Sequence, residues 1–177
     1  GATGEALSLQ RRAELALYRG RRSDARALLD EALDLARQTD IGFHLLDRIY
    51  GTRITLAEHP EGALAELEEA QEAVRGNLET CPGCRITFAV PATIAAARAR
   101  RLDLAAAYEP AAEYLANVVM RLPAWYAALE EVRGHLALAR GQRGPARGHF
   151  AAAAEKFAAA GHRLDAARCR LAAEAGV

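Results

Sequence analysis

The feature that most constrains the fold is a trio of residues that returns four times at one internal spacing. A small residue is followed four positions on by an apolar or small one, and three further on by Ala or an aromatic. The trios are Ala25, Leu29, Ala32; Ala63, Leu67, Ala70; Ala107, Ala111, Tyr114; and Ala146, Phe150, Ala153. Steps of four and three place each trio on one face of a helix. Five positions before the first members stand Gly20, Glu58, Leu102 and Gly141, where turns are expected. Seven positions before Glu58 and Gly141 lie Gly51 and Gly134, where the two helices of an antiparallel pair are expected to approach closely. A chain made of one repeated helical unit buries its apolar stripes by stacking each unit on its neighbours.

Composition supports helices. Of 177 residues, 43 are Ala, the best helix former, and Lys156 is the only Lys, so nearly all positive charge is carried by Arg. β-Branched and aromatic residues are scarce, which argues against sheets. Lys plus Arg equals Asp plus Glu at 23 each, so whole-chain charge gives no case for nucleic acid or an anionic membrane. No apolar run approaches a membrane span. Gly1-Ala2-Thr3-Gly4 is not a basic segment leading into an apolar one, so no signal peptide is expected. Without an initiator Met, the chain reads as a piece of a longer protein. Three Cys make no disulfide framework, and a reducing cytoplasm is the expected compartment.

Nine helices are expected, near 5–20, 22–38, 40–58, 60–76, 84–101, 103–121, 123–141, 143–160 and 163–175. Gly20, Gly141 and Gly161 suit helix ends, Ser23-Asp24 offers a cap, and Pro60 and Pro123 suit first turns. Gly76-Asn77 is expected to end the fourth helix, and Cys81-Pro82-Gly83-Cys84 reads as a turn. Pro91 and Pro110, inside proposed helices, are expected either to kink them or to mark a later start. The expected seams are filled by Leu28, Leu29, Leu33, Leu64, Leu67, Tyr114, Phe150 and Phe157. Leu164, Ala167, Cys169 and Leu171 then cap the fourth pair.

Gly134, Gly141, Ala146, Phe150 and Ala153, within Glu130–Ala158, form a skeleton that resembles the tetratricopeptide repeat. The resemblance extends over nearly the whole chain as repeats near 5–39, 40–77, 84–121 and 123–160, with a capping helix at 163–175. It implies one domain over 1–177, an all-α fold stacked into a right-handed superhelix, an α-solenoid. The chain departs from the pattern in three respects. Asp47 or Glu130 stands where that family has Trp, Arg37 and Arg75 stand at its proline, and the spacings of 38, 44 and 39 exceed the usual 34 or so. In texture, the segments Cys81 through Ala92 and Ala128 through Ala137 resemble the C-terminal helical regions of large bacterial transcriptional regulators, of the LuxR type and the actinobacterial antibiotic-regulatory kind. That resemblance implies a signal-sensing or partner-binding arm.

The repeat resemblance places Gln10, Glu14, Tyr18, Arg48, Thr52, Thr55, Arg100, Glu131 and His135 on a concave groove. The expected partner is a protein, a peptide or a neighbouring domain of the same polypeptide, with Arg48, Arg100 and His135 as anchors. Direct nucleic-acid binding, membrane attachment, a cofactor and catalysis are not expected. No phosphate loop and no nucleophile–base pair stands at motif spacing. The alternative is a helical protein that binds a metal or a small ligand through Cys81 and Cys84, which could also form a redox disulfide or simply line a turn. A weaker alternative is an adaptor clamping acidic peptide tails, for which only Arg48 and Arg100 qualify. Glu66, Glu68, Glu69 and Glu72 read as a solvated helix face. Arg19, Arg21, Arg22, Arg98, Arg100, Arg101, Arg140 and Arg143 mark basic turns.

Overall fold

A computed structural model describes residues 1–39, 41–73 and 81–175, all-helical with no strand among them. The helices are α1 (Ala2–Tyr18), α2 (Arg22–Arg37), α3 (Phe43–Leu56), α4 (Pro60–Ala73), α5 (Pro82–Arg98), α6 (Leu102–Tyr114), α7 (Pro123–Ala139), α8 (Arg143–Ala159) and α9 (Arg163–Glu174). A π-helical segment, Leu115–Met120, continues α6. No helix among these residues is long and apolar enough to cross a membrane. The expected end at Gly76-Asn77 lies outside the described residues, as does the proline-equivalent Arg75.

The chain forms two compact units, Gly1–Pro91 and Ala92–Val177, whose boundary falls within α5. In the first, α1 packs on α2 and α3 on α4, with α3 also against α1 and α2. In the second, α7 packs on α8 and α8 on α9, while α6 and the π segment reach α7.

Among the described residues one turn is built four times. Gly20, Arg100, Gly141 and Gly161 all take left-handed φ, at 73°, 57°, 75° and 83°. In each case the next amide returns to a carbonyl five residues back: Arg21 to Ala16, Arg101 to Ala96, Gln142 to Ala137 and His162 to Phe157, at 2.8–2.9 Å. This closes the orphan carbonyls of the helix just ended. The next helix then starts, and its Ala25, Ala105, Ala146 or Ala166 is fully buried. These starts lack side-chain caps: Arg21, not Ser23 or Asp24, occupies the cap position of α2.

The recurrent turn corrects the third trio. Ala107 and Tyr114 are exposed and Ala111 only partly buried, whereas Ala105 and Ala112 are fully buried. The register is Ala105, Glu109, Ala112, and its turn residue is Arg100 rather than Leu102. Leu29, Leu33, Leu67, Phe150 and Phe157 are core residues as expected, and Leu28 and Leu64 are partly buried. Tyr114, Leu164 and Leu171 are exposed, so α9 seals its neighbours through Ala166 and Cys169 instead. Pro91 and Pro110 lie inside continuous helices, α5 and α6.

Arg100 is the one non-glycine in the four equivalent turns. A left-handed backbone costs an L-residue about 1–2 kcal/mol that Gly avoids. Arg100→Gly is therefore expected to stabilise the protein by about 1 kcal/mol, raising the thermal midpoint by roughly 2–4 °C. A lowered midpoint in a thermal melt would show that the arginine side chain contributes more than its backbone costs.

The two pattern glycines serve different contacts. At Gly134, on α7, an added Cβ would lie 2.7–2.9 Å from the Phe150 ring of the paired helix α8. At Gly51, on α3, it would lie 2.0 Å from the Thr87 carbonyl oxygen of α5. Gly51 thus serves the first helix of the next pair, not its own partner α4.

Candidate functional site

Within each of the two units, neighbouring first helices are joined by polar side chains. Gln10 of α1 donates from Nε2 to Thr52 Oγ1 of α3 at 3.0 Å and to Glu14 at 2.8 Å. Thr52 in turn donates to the Arg48 carbonyl, one turn back. Arg85 of α5 meets the fully buried Asp47 of α3 at 3.1 Å. Arg168 of α9 grips Glu131 of α7 through two hydrogen bonds, 2.8 and 2.7 Å, and also holds Asp165 at 2.6 Å. Hydrogen bonds between charged groups in paired geometry are stronger than neutral ones and fix direction.

The expected groove residues fall into three groups. Gln10, Thr52 and Glu131 are buried and serve as struts between helices rather than as an open surface. Glu14 and Arg48 are partly buried, and Tyr18 and Thr55 are exposed, all in the first unit. Thr55 donates to the Gly51 carbonyl at 2.8 Å, and Glu14 also accepts from Arg11. Arg100, in the second unit, lies in the turn after α5 and not on a helix face.

His135 is partly buried and meets the Phe150 ring edge-on, with centroids 5.0 Å apart. Burial pushes its imidazole down to about 4, against the pull of the Glu131 carboxylate. It is therefore neutral near pH 7 and cannot act there as a cationic anchor. Burial likewise raises the Cys169 thiol to about 12, with Glu131 adding to the effect. Cys169 is a small core side chain.

The Cys81-Pro82-Gly83-Cys84 segment is not a free-standing turn. Cys81 precedes α5, and the other three residues make its first turn. Cys81 is exposed and Cys84 buried. The two sulfurs lie 2.7 Å apart, and the Cys84 amide donates to Cys81 Sγ at 3.2 Å. Arg48 donates from Nε to Cys84 Sγ at 3.3 Å. Burial and the Cys81 thiol raise the Cys84 pKa, and Arg48 works against them. Among the described residues no set of three His, Cys, Asp or Glu side chains is placed to hold a metal.

Other charged groups form networks that the sequence did not reveal. Arg53 of α3, nearly buried, pairs with Glu66 at 2.5 Å, Asp30 at 3.1 Å and Glu69 at 3.5 Å, and Arg26 joins Glu66 at 3.0 Å. Tyr50 donates to Glu69 at 2.9 Å, and burial together with that carboxylate raises its phenol to about 12. Glu66 is thus a buried partner, while Glu68 and Glu72 lie on the exposed face expected for the group. Several turn arginines also have local partners: Arg21 with Asp24, Arg22 with Glu58, and Arg101 with Asp103. In the second unit an open cleft of about 340 Å³ is lined by Asn117, Tyr126, Leu129, Glu130, Arg133 and Lys156. Its cations are already engaged, Lys156 with Glu130 at 2.6 Å and Arg133 with Glu113 at 2.8 Å. His149 lies 2.9 Å from Glu130 as well. Lys156 and His149 hold the Glu130 carboxyl below its ordinary range despite the opposing effect of burial.

Set against protein-family models, curated proteins and solved structures, the chain matches none.

Proposed function

We propose that this chain is a non-catalytic interaction module, a scaffold of tetratricopeptide-like helix pairs stacked as a right-handed α-solenoid. The observation that carries the reading is the polar joinery between first helices: Gln10 to Thr52, Asp47 to Arg85, and Glu131 to Arg168. Within the α7–α8 pair, Gly134 lies close against the Phe150 ring. As Arg53 and Glu66 tie the members of the α3–α4 pair, polar side chains also tie neighbouring first helices to one another. In a stacked repeat that row of helices lines the extended binding face.

On this reading the partner is a protein or peptide, or a neighbouring domain of the same polypeptide, and the chain is the sensing arm of a bacterial transcriptional regulator acting in the cytoplasm. Arg48 is the anchor, flanked by Glu14, Tyr18 and Thr55. Its guanidinium offers a rigid fork of donors to a carboxylate.

The test is a random-peptide display panned against the immobilised protein, followed by binding titrations with the enriched sequences. Carboxylate-bearing peptides are expected to be enriched. Arg48→Ala is expected to weaken them by about tenfold, as losing one charged hydrogen bond of about 1.5 kcal/mol does, with the thermal midpoint nearly unchanged. No enrichment, or equal binding by the variant, overturns this assignment.

A further inference from the structure

We propose that Cys81 and Cys84 form a reversible intramolecular disulfide by exchange with a low-molecular-weight disulfide, and that closing it releases Arg48 from its sulfur partner. The sulfurs are 2.7 Å apart and need to close by only about 0.7 Å to reach the bond length of about 2.05 Å. Cys81 stands at the cap of α5, where its carbonyl accepts from the Cys84 and Arg85 amides at 2.8 and 2.9 Å, and this turn brings its side chain against that of Cys84. The two thiols differ in access. Cys81 is exposed and meets a reagent from solution, while Cys84 is buried behind it.

The exchange runs in two displacements. The Cys81 thiolate attacks one sulfur of oxidised glutathione, its S–S bond breaks, and one glutathione thiolate leaves and takes up a proton. Cys84 then attacks Cys81 Sγ of the mixed disulfide, and the second glutathione departs with the proton that Cys84 gives up. The protein is oxidised by two electrons, and one glutathione disulfide becomes two thiols. Cys169, fully buried in α9, stays outside this chemistry and serves as an internal control.

The consequence for Arg48 follows from its bond to Cys84 Sγ at 3.3 Å. Closing the bond draws Cys84 Sγ toward Cys81 and away from its present position against Arg48, which loosens the contact that holds the guanidinium on α5. This second half rests on the groove reading above, in which Arg48 faces a partner; formation of the disulfide does not.

The experiment treats the intact protein with oxidised glutathione, quenches by alkylation and reads the mass. Wild type is expected to lose two hydrogen atoms, carry no adduct, keep one thiol that alkylates only in denaturant, and return to three thiols with dithiothreitol. Cys84→Ser is expected to accumulate a stable glutathione adduct on Cys81, whereas Cys81→Ser reacts far more slowly. A wild-type protein that remains as the glutathione adduct, or a Cys81→Ser variant that reacts as fast as Cys84→Ser, overturns the proposal. Peptide binding by the oxidised and reduced forms then tests Arg48 separately: unequal affinity in wild type that becomes equal in Arg48→Ala supports the coupling, and equal affinity in wild type refutes it.

Discussion

Gly51→Ala is expected to lower the thermal midpoint by roughly 6–12 °C, the equivalent of about 3 kcal/mol, the upper end of ordinary overpacking costs. The added methyl would lie 2.0 Å from the Thr87 carbonyl oxygen and 2.8 Å from its carbon. Both belong to the backbone of α5, so no side chain can rotate away, and α3 and α5 must separate. Separation strains the neighbouring contacts between these helices, the Asp47–Arg85 ion pair and the Arg48–Cys84 hydrogen bond. Gly148→Ala supplies the control. Gly148 is exposed on α8 with nothing within 4 Å of an added Cβ, so only helix propensity changes. That substitution is expected to raise stability by about 0.5–1 kcal/mol. A Gly51→Ala protein as stable as wild type would mean that α3 and α5 do not meet at this residue.

The helices were legible because their ends are written in residue types. Gly20, Gly141 and Gly161 mark left-handed turns that only Gly adopts at little cost, and the described helices fall within a few residues of the expected ones. The third trio was misread for a physical reason. Ala105, Ala106 and Ala107 are chemically identical, so spacing alone cannot say which of them is buried. The turn that would have fixed the register carries Arg100 instead of Gly. Gly51 was legible as a site of close approach, but not its partner. A glycine records that backbone comes near and carries no information on whose backbone it is.

The candidate site was less legible because burial of charge depends on partners far along the chain. Asp47 stands where the tetratricopeptide pattern that the sequence resembles has Trp. It is tolerated fully buried because Arg85, 38 residues later, pairs with it. Glu131 and Arg168 are separated by 37 residues and Arg26 and Glu66 by 40. No local spacing reveals such pairs. The cysteine motif was visible as a motif, but its setting at the start of α5 and its contact with Arg48 were not. Both follow from where α3 runs beside α5.

Ala146→Glu is expected to destabilise the protein by at least about 3 kcal/mol, combining overpacking of about 1–3 kcal/mol with burial of a carboxyl that has no partner. Ala146 is fully buried among Ala137 of α7 and Phe150 of its own helix, with Leu138, Ala172 and Ala173 packed around them. A glutamate there can neither reach water without displacing α9 nor find a cation within that cluster of apolar side chains. The same substitution tests the register of α6. Ala105 occupies the position equivalent to Ala146, since its amide returns to Arg101 as that of Ala146 returns to Gln142, at 2.9 and 3.0 Å. Ala105→Glu should therefore resemble Ala146→Glu, while Ala107→Glu, on the exposed face of α6, should stay within about 0.5 kcal/mol of wild type. Thermal or denaturant melts of the three variants separate the alternatives. If Ala107→Glu proved the more damaging of the α6 pair, the turn at Arg100 would not set the phase of the helix that follows, and the equivalence of the four turns would fail with it.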